Sequence, residues 1–278
     1  MGQGLGEGEV IVVVSVLLIA GPTVAAVIAM LVVRRLAPPG GLMSSMESAD
    51  GIFGAAGAGL AVLLAFVIFT VFESYSNGRN AAGEEAAATQ QMYSNSGFFP
   101  DQVDALRGDL VCYGRSVVHD EWPDMAHGKE SAVTQHWVGQ LDTTIQQVKI
   151  GGNGPGAALE NWLGLSQERL DARRTRIAES QPFVPEFVWV VLVLITIVVV
   201  AFQCLFADPG ATAFGQAVAM SAMTATLFSA LCLIWVLDRP FNNRGAEISP
   251  SRMNASLAVM AQDAHLPVLP CDAQGNPS

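Results

Sequence analysis

The sequence predicts an all-α polytopic membrane protein: four transmembrane helices, two plus two, around an all-helical extramembrane section. Its 278 residues are 51% hydrophobic and only 14% charged, with a positive mean hydropathy, too apolar for an ordinary water-soluble domain. The excess falls in four blocks, residues 10–33, 51–72, 187–206 and 211–237, none containing a charged residue. Each is long enough to cross roughly 30 Å of hydrocarbon at about 1.5 Å per residue. Between the second and third blocks, apolar residues recur at intervals of three and four without period-two alternation, which indicates helices. The predicted division is a first transmembrane hairpin (1–73), a helical section (74–182), a second hairpin (183–241) and a polar tail (242–278).

The first span follows an acidic leader, carries a long apolar run and lacks a small-residue cleavage site, so it is expected to stay as an anchor. Pro22 at its middle removes a backbone donor, which a packing kink or a hinge would accommodate. Arg34 and Arg35 end it. In the second span, Gly51, Ala55 and Gly59 share one helical face and invite close approach of another helix, expected to be the small-residue fourth span. Phe66, Phe69 and Phe72 follow, before Glu73 opens the polar section.

Residues 80–93 are read as continuing the second span beyond the bilayer, with a break at 94–100. Val103, Leu106, Leu110, Tyr113 and Val117 mark an amphipathic helix started by Asp101 and stopped by Pro123. Val133, Trp137, Leu141, Ile145 and Val148 mark a second, ended by the glycine-rich run 151–156. That run lacks the Lys-Ser/Thr ending of a phosphate loop, and no strand precedes it. A third helix from Ala157 carries Leu159, Trp162, Leu163 and Leu170 and becomes basic at Arg169, Arg173, Arg174 and Arg176, where anionic lipid headgroups would lie. Trp189 anchors the third span at the interface. The tail has one short helix candidate at 251–262.

With four spans, both termini and the helical section share one side. Arg34 and Arg35 lie on the other, against Arg79, Arg169, Arg173, Arg174, Arg176, Arg239, Arg244 and Arg252 on the terminal side. This count places the helical section in the cytoplasm. The acidic leader and Arg34-Arg35 around the first span favour the reverse, as would a disulfide between Cys112 and Cys271, the two cysteines outside the spans.

A net charge of −11 without a clustered basic groove argues against nucleic acid as a partner. No catalytic residues are assigned, because no nucleophile elbow, metalloprotease helix or paired-carboxylate site appears, and no enzyme is expected. No metal or other cofactor is expected either. The cysteines lack C-x-x-C spacing, and His119-Asp120-Glu121 point about 100° apart on a helix, which disfavours a joint site with His127.

Five motifs, in order and spacing, resemble a bacterial bestrophin-like membrane protein family of unknown function. They are Arg79 with Glu84-Glu85-Ala86, Tyr113 with Glu121-Trp122-Pro123, Arg173-Arg174-x-Arg176, Pro185 with Trp189, and Asp238-Arg239-Pro240-Phe241 with Pro250. The likeness covers roughly residues 8–252. Bestrophin anion channels are distantly similar in layout, which implies a pentameric ring in a bacterial plasma membrane, with a helical cytoplasmic region and an axial pore lined by the second span. Val62, Phe66, Phe69 and Phe72 would then form an apolar constriction that gates by dewetting. The glycine/alanine half of that span departs from the bestrophin pattern, and no acidic calcium clasp is found.

Glu85, Glu121, Arg79, Arg173, Arg174, Arg176, Asp238 and Arg239 have two open readings. They form a salt-bridge network locking the helical section to the spans, or the arginines line an electropositive vestibule that concentrates anions. The leading function is a homo-oligomeric channel for small anions. The alternative is a non-conducting scaffold or accessory subunit whose helical section binds a protein partner.

Overall fold

A computed structural model describes residues 7–38, 42, 49–149, 153–242, 247–263 and 268–278. These are helical almost throughout, and they fall into two compact units. One comprises the described residues of Met1–Glu73 and Pro182–Asp238. The other comprises those of Ser74–Gln181, Arg239–Asn243 and Glu247–Ser278.

The first unit contains α1 (Glu7–Leu36), the apolar half of α2 (Ala49–Asn95), α7 (Glu186–Leu205) and α8 (Ala213–Leu237). All four helices are long and apolar enough to cross a membrane. Pro22 lies inside α1 without ending it. The Thr23 hydroxyl donates to the Ile19 carbonyl at 2.7 Å in the same turn. At the far end of α1 the Arg34 guanidinium donates to the carbonyls of Asp208 (2.8 Å), Pro209 (3.1 Å) and Ala211 (2.6 Å) and to Gln216 Oε1 (2.9 Å). It thereby satisfies backbone acceptors in the turn between α7 and α8 that neither helix can use.

Among the described residues α8 packs along α1 and not along α2. Ala26 and Met30 pack there with Met220 and with Cys204 and Ala207. Gly51 and Gly59 would meet nothing within 4 Å if given a Cβ, and Ala55 is exposed. The packing expected of this stripe is therefore absent among the described residues of the single chain. Small residues permit close approach but do not name the helix that approaches. Instead α2 buries Leu60, Leu64, Val67 and Val71, and Phe53 lies parallel to Phe202 at 6.0 Å.

The second unit begins with the polar half of α2, the predicted extension, which runs unbroken to Asn95 before a 3-10 turn at Ser96–Phe98. Next come α3 (Val103–Ser116), α4 (Trp122–Ala126), α5 (Ala132–Gln146), α6 (Asn153–Ala178) and α9 (Ser251–Met260). Pro123 does not stop the helix that precedes it. A π-helical turn, Val117–Glu121, widens the backbone there and leads into α4, so the wider turn accommodates the proline ring and its missing N–H without ending the helical path. The start also shifts, from Asp101 to Val103, with Gln102 as N-cap. Ser131 caps α5 by accepting from the Thr134 amide at 3.2 Å. α6 begins at Asn153, so part of the predicted glycine-rich loop is helical and the rest lies outside the described residues.

Leu106, Leu110, Tyr113, Val117, Trp137, Leu141, Ile145, Trp162 and Leu165 form the core of this unit. Leu163, expected among them, is 55% exposed. The C-terminal segment, read from residue 242 as a polar tail, contributes Ile248, Met253, Met260 and Cys271 to the same core, and Phe241, the last residue of the predicted second hairpin, joins them. Its carbonyls at Ile248 and Gly275 accept from the Trp122 and Trp137 indoles at 2.9 and 2.7 Å. A disulfide joins Cys112 of α3 to Cys271.

Candidate functional site

Within the helical unit, α6 presents Trp162, Leu165, Arg169, Ala172, Arg173 and Arg176 on one buried face. The 4-3 rhythm of the arginines continues the apolar stripe, so three of the four basic residues expected at lipid headgroups point into protein. Arg174 is the exception. One position off the stripe, it is exposed and pairs at 3.2 Å with Asp171, itself exposed.

Arg176 is central. Its Nε donates to Glu85 Oε2 at 2.5 Å, and one terminal nitrogen reaches both Glu85 Oε1 (3.0 Å) and Glu121 Oε2 (2.5 Å). The other meets the Met125 sulfur, and the guanidinium carbon lies 4.8 Å from the Trp122 ring centroid. Arg173 grips Glu121 Oε1 from Nε at 3.0 Å and NH2 at 2.5 Å, and donates to Gln135 Oε1 at 2.9 Å. The Tyr113 hydroxyl donates to Glu85 Oε1 at 2.6 Å. Glu85, Glu121 and Arg176 are all fully buried. Four of the eight predicted residues thus converge, all within one unit, joining α2, the π turn and α6.

Burial alone would raise the Glu121 carboxyl pKa, but Arg176 and then Arg173 outweigh it and hold the group below its ordinary value. Burial likewise opposes the charge on Arg176, and Glu85 and Glu121 reverse that, strengthening its hold on the proton. Burial and the neighbouring Glu85 raise Tyr113 far above the usual phenol range, so it stays a neutral donor. Arg169 completes the cluster differently. Its guanidinium lies 4.4 Å from the Tyr113 ring centroid, and none of its nitrogens has a hydrogen-bond partner among the described residues.

The other sequence candidates lie elsewhere. Arg79 is exposed and lines a cleft of about 990 Å³ with Asn80 and Glu84 of α2 and with Glu247, Ser249 and Arg252. Asp238 is buried in the first unit, where it accepts from the Val184 amide at 2.7 Å. Arg239 is half-buried. His119 is exposed, whereas Glu121, two residues on, turns into the ion-pair cluster. No group of potential metal ligands occurs among the described residues.

In the first unit, Val62, Phe66, Phe69 and Phe72 are 71%, 65%, 65% and 57% exposed. Their intervals of four, three and three place them along one side of α2, with buried Leu60, Leu64, Val67 and Val71 at interleaved positions.

Four helices long and apolar enough to cross a membrane, in a chain that also carries a helical unit with an ionic core, define an integral membrane protein. A model of the Bestrophin-like domain matches residues 20–253, and the chain belongs to the bestrophin-like family. Its structure is similar to crystal structures of a bacterial bestrophin homologue from Klebsiella pneumoniae. One single-residue variant superposes with a TM-score of 0.67 at 15% identity, over 88% of this chain and 99% of that one. Others give 0.65 at 15% identity, covering 90% and 97%, and 0.63 at 17% identity, covering 94% and 100%. At such identity the likeness shows the shared fold. No curated protein matches in sequence.

Proposed function

We propose that this chain assembles into a homo-oligomeric ring in the bacterial plasma membrane and conducts small anions by diffusion, without covalent chemistry, through an axial pore lined by α2. The observation that carries this reading is the stripe of Val62, Phe66 and Phe69. A long helix whose opposite side is already packed turns large apolar side chains outward. Around an axis, such a stripe makes a hydrophobic constriction that dewets when narrow and conducts when wide. Lipid contact alone would also suit apolar side chains, so the discriminating fact is assembly. Native mass measurement in detergent is expected to give a closed ring, five subunits by analogy with bestrophins. A monomer or dimer would overturn the channel and leave the scaffold reading.

Anion flux into liposomes tests the constriction directly. Phe66→Ala and Phe69→Ala are expected to raise flux several-fold. Unchanged flux from an intact ring would remove these residues from the permeation path. The buried arginines are unavailable to a vestibule, which leaves Arg79, Arg174 and Arg252 as candidates to attract anions, their effect screened as ionic strength rises.

A further inference from the structure

We propose that the helical unit and both termini lie on the oxidising, extracytoplasmic side of the membrane, opposite to the side indicated by arginine counting, with Cys112–Cys271 as a permanent staple of the C-terminal segment. Packing independent of the sulfurs seats this segment. The Trp137 indole holds the Gly275 carbonyl, the Arg115 guanidinium donates to the Asp272 carbonyl at 2.9 Å, and the Ser278 amide returns to Pro270 at 3.1 Å. Gly275 adopts φ 97° directly against the backbone of Ser116, where any Cβ would collide. Gly108 similarly leaves room for Pro270, whose ring would stand 3.1 Å from an added Cβ. The segment is thus fitted to α3 residue by residue. The fit brings the Cα atoms of Cys112 and Cys271 to 5.8 Å, within bridging distance.

Stable disulfides belong to oxidising compartments, because cytosolic thiol systems keep such pairs reduced. Forming this one removes two protons and two electrons from the two thiols. A disulfide-bearing thiol oxidant accepts both and leaves as its dithiol. The other two cysteines, Cys204 and Cys232, lie within α7 and α8 and remain free.

The charge pattern is compatible with this side once the fold is known. Arg169, Arg173 and Arg176 have internal roles in the helical unit that explain them without any membrane rule. Segments longer than about 60 residues translocate largely regardless of charge, and the first helix usually dominates orientation. That helix carries Glu7 and Glu9 before its apolar run and Arg34-Arg35 after it, the pattern of an outside N terminus.

Two readouts on the full chain test the proposal. For the bond, cells are acid-quenched and the denatured chain, with Cys204 and Cys232 replaced by Ala, is treated with a mass-tagged maleimide. No tag is expected before reduction and two after it. For the side, Ser278 is fused to alkaline phosphatase, active only when exported, or to a fluorescent protein that matures only in the cytoplasm. Active phosphatase and a dark fluorescent fusion are expected. Two tags without reduction, or a bright fluorescent fusion with inactive phosphatase, would overturn the proposal. Neither result bears on ring formation or flux, so the channel reading stands or falls separately.

Discussion

The two units use one physical rule in opposite directions. The membrane-spanning unit leaves Val12, Leu17, Phe66 and Ile197 exposed and buries Thr196 and Thr224, whereas the helical unit buries tryptophans, an ionised arginine cluster and its glutamates. Lipid rewards an apolar exterior, so the interior can hold small and hydroxylated side chains that let helices approach. Water rewards an apolar interior, so Glu85 and Glu121 persist inside the helical unit because guanidinium groups meet both of them. Substitutions of similar size should therefore have very different consequences in the two units.

The largest effect is expected from Arg176→Met. It leaves Glu85 and Glu121 buried without their shared cation, and the cost should be about 3–5 kcal/mol of stability in denaturant titration. A loss below about 1 kcal/mol would show that the cluster tolerates an open charge. Arg169→Met makes the internal contrast, since that guanidinium has no hydrogen-bond partner among the described residues to orphan. It should be neutral or stabilising.

Cys112→Ser should lower stability by about 2–5 kcal/mol, because the bridge closes a very long loop in the unfolded chain. Equal melting of oxidised wild type and variant would break the staple argument.

Acidification sets two buried carboxylates of the helical unit against each other. Glu121 has its pKa lowered in the folded state, so its stabilisation is complete above its ordinary value of 4.5 and is lost as pH falls through the lower folded value. Asp109, raised by burial despite accepting from the Thr144 hydroxyl, acts in the opposite sense and loses stability as pH rises through its folded value. Glu121→Gln should therefore flatten the acid limb of the stability profile, and Asp109→Asn should steepen it.

The smallest stability effects are expected on exposed positions. Phe66→Ala and Arg174→Glu should each change stability by under about 0.5 kcal/mol, while only the phenylalanine change alters liposome flux through the proposed constriction. A large stability loss from Phe66→Ala would instead show that it packs against a neighbouring subunit.

Span positions, the long α2 extension and the helical character of the central section were legible because run length and 3.6-residue periodicity are local properties. The face of α6 was legible in principle, since Arg169, Arg173 and Arg176 continue the spacing of Trp162 and Leu165. Reading arginine as a surface residue hid that rhythm. Pro123 misled for a similar reason. A proline forbids the donor it lacks, but the π turn before it removed the need for a break.

Residue order alone showed how many helices are long and apolar enough to cross a membrane and which residue types had to be reconciled inside the helical unit, because hydrophobicity and helical period act over a few turns. Only the tertiary structure decided that α8 packs on α1, that Glu85 meets Arg176 across 91 residues, and that Cys112 meets Cys271 across 159. Such pairings depend on how whole helices stack, and no local spacing encodes which distant partner a buried charge or thiol will find.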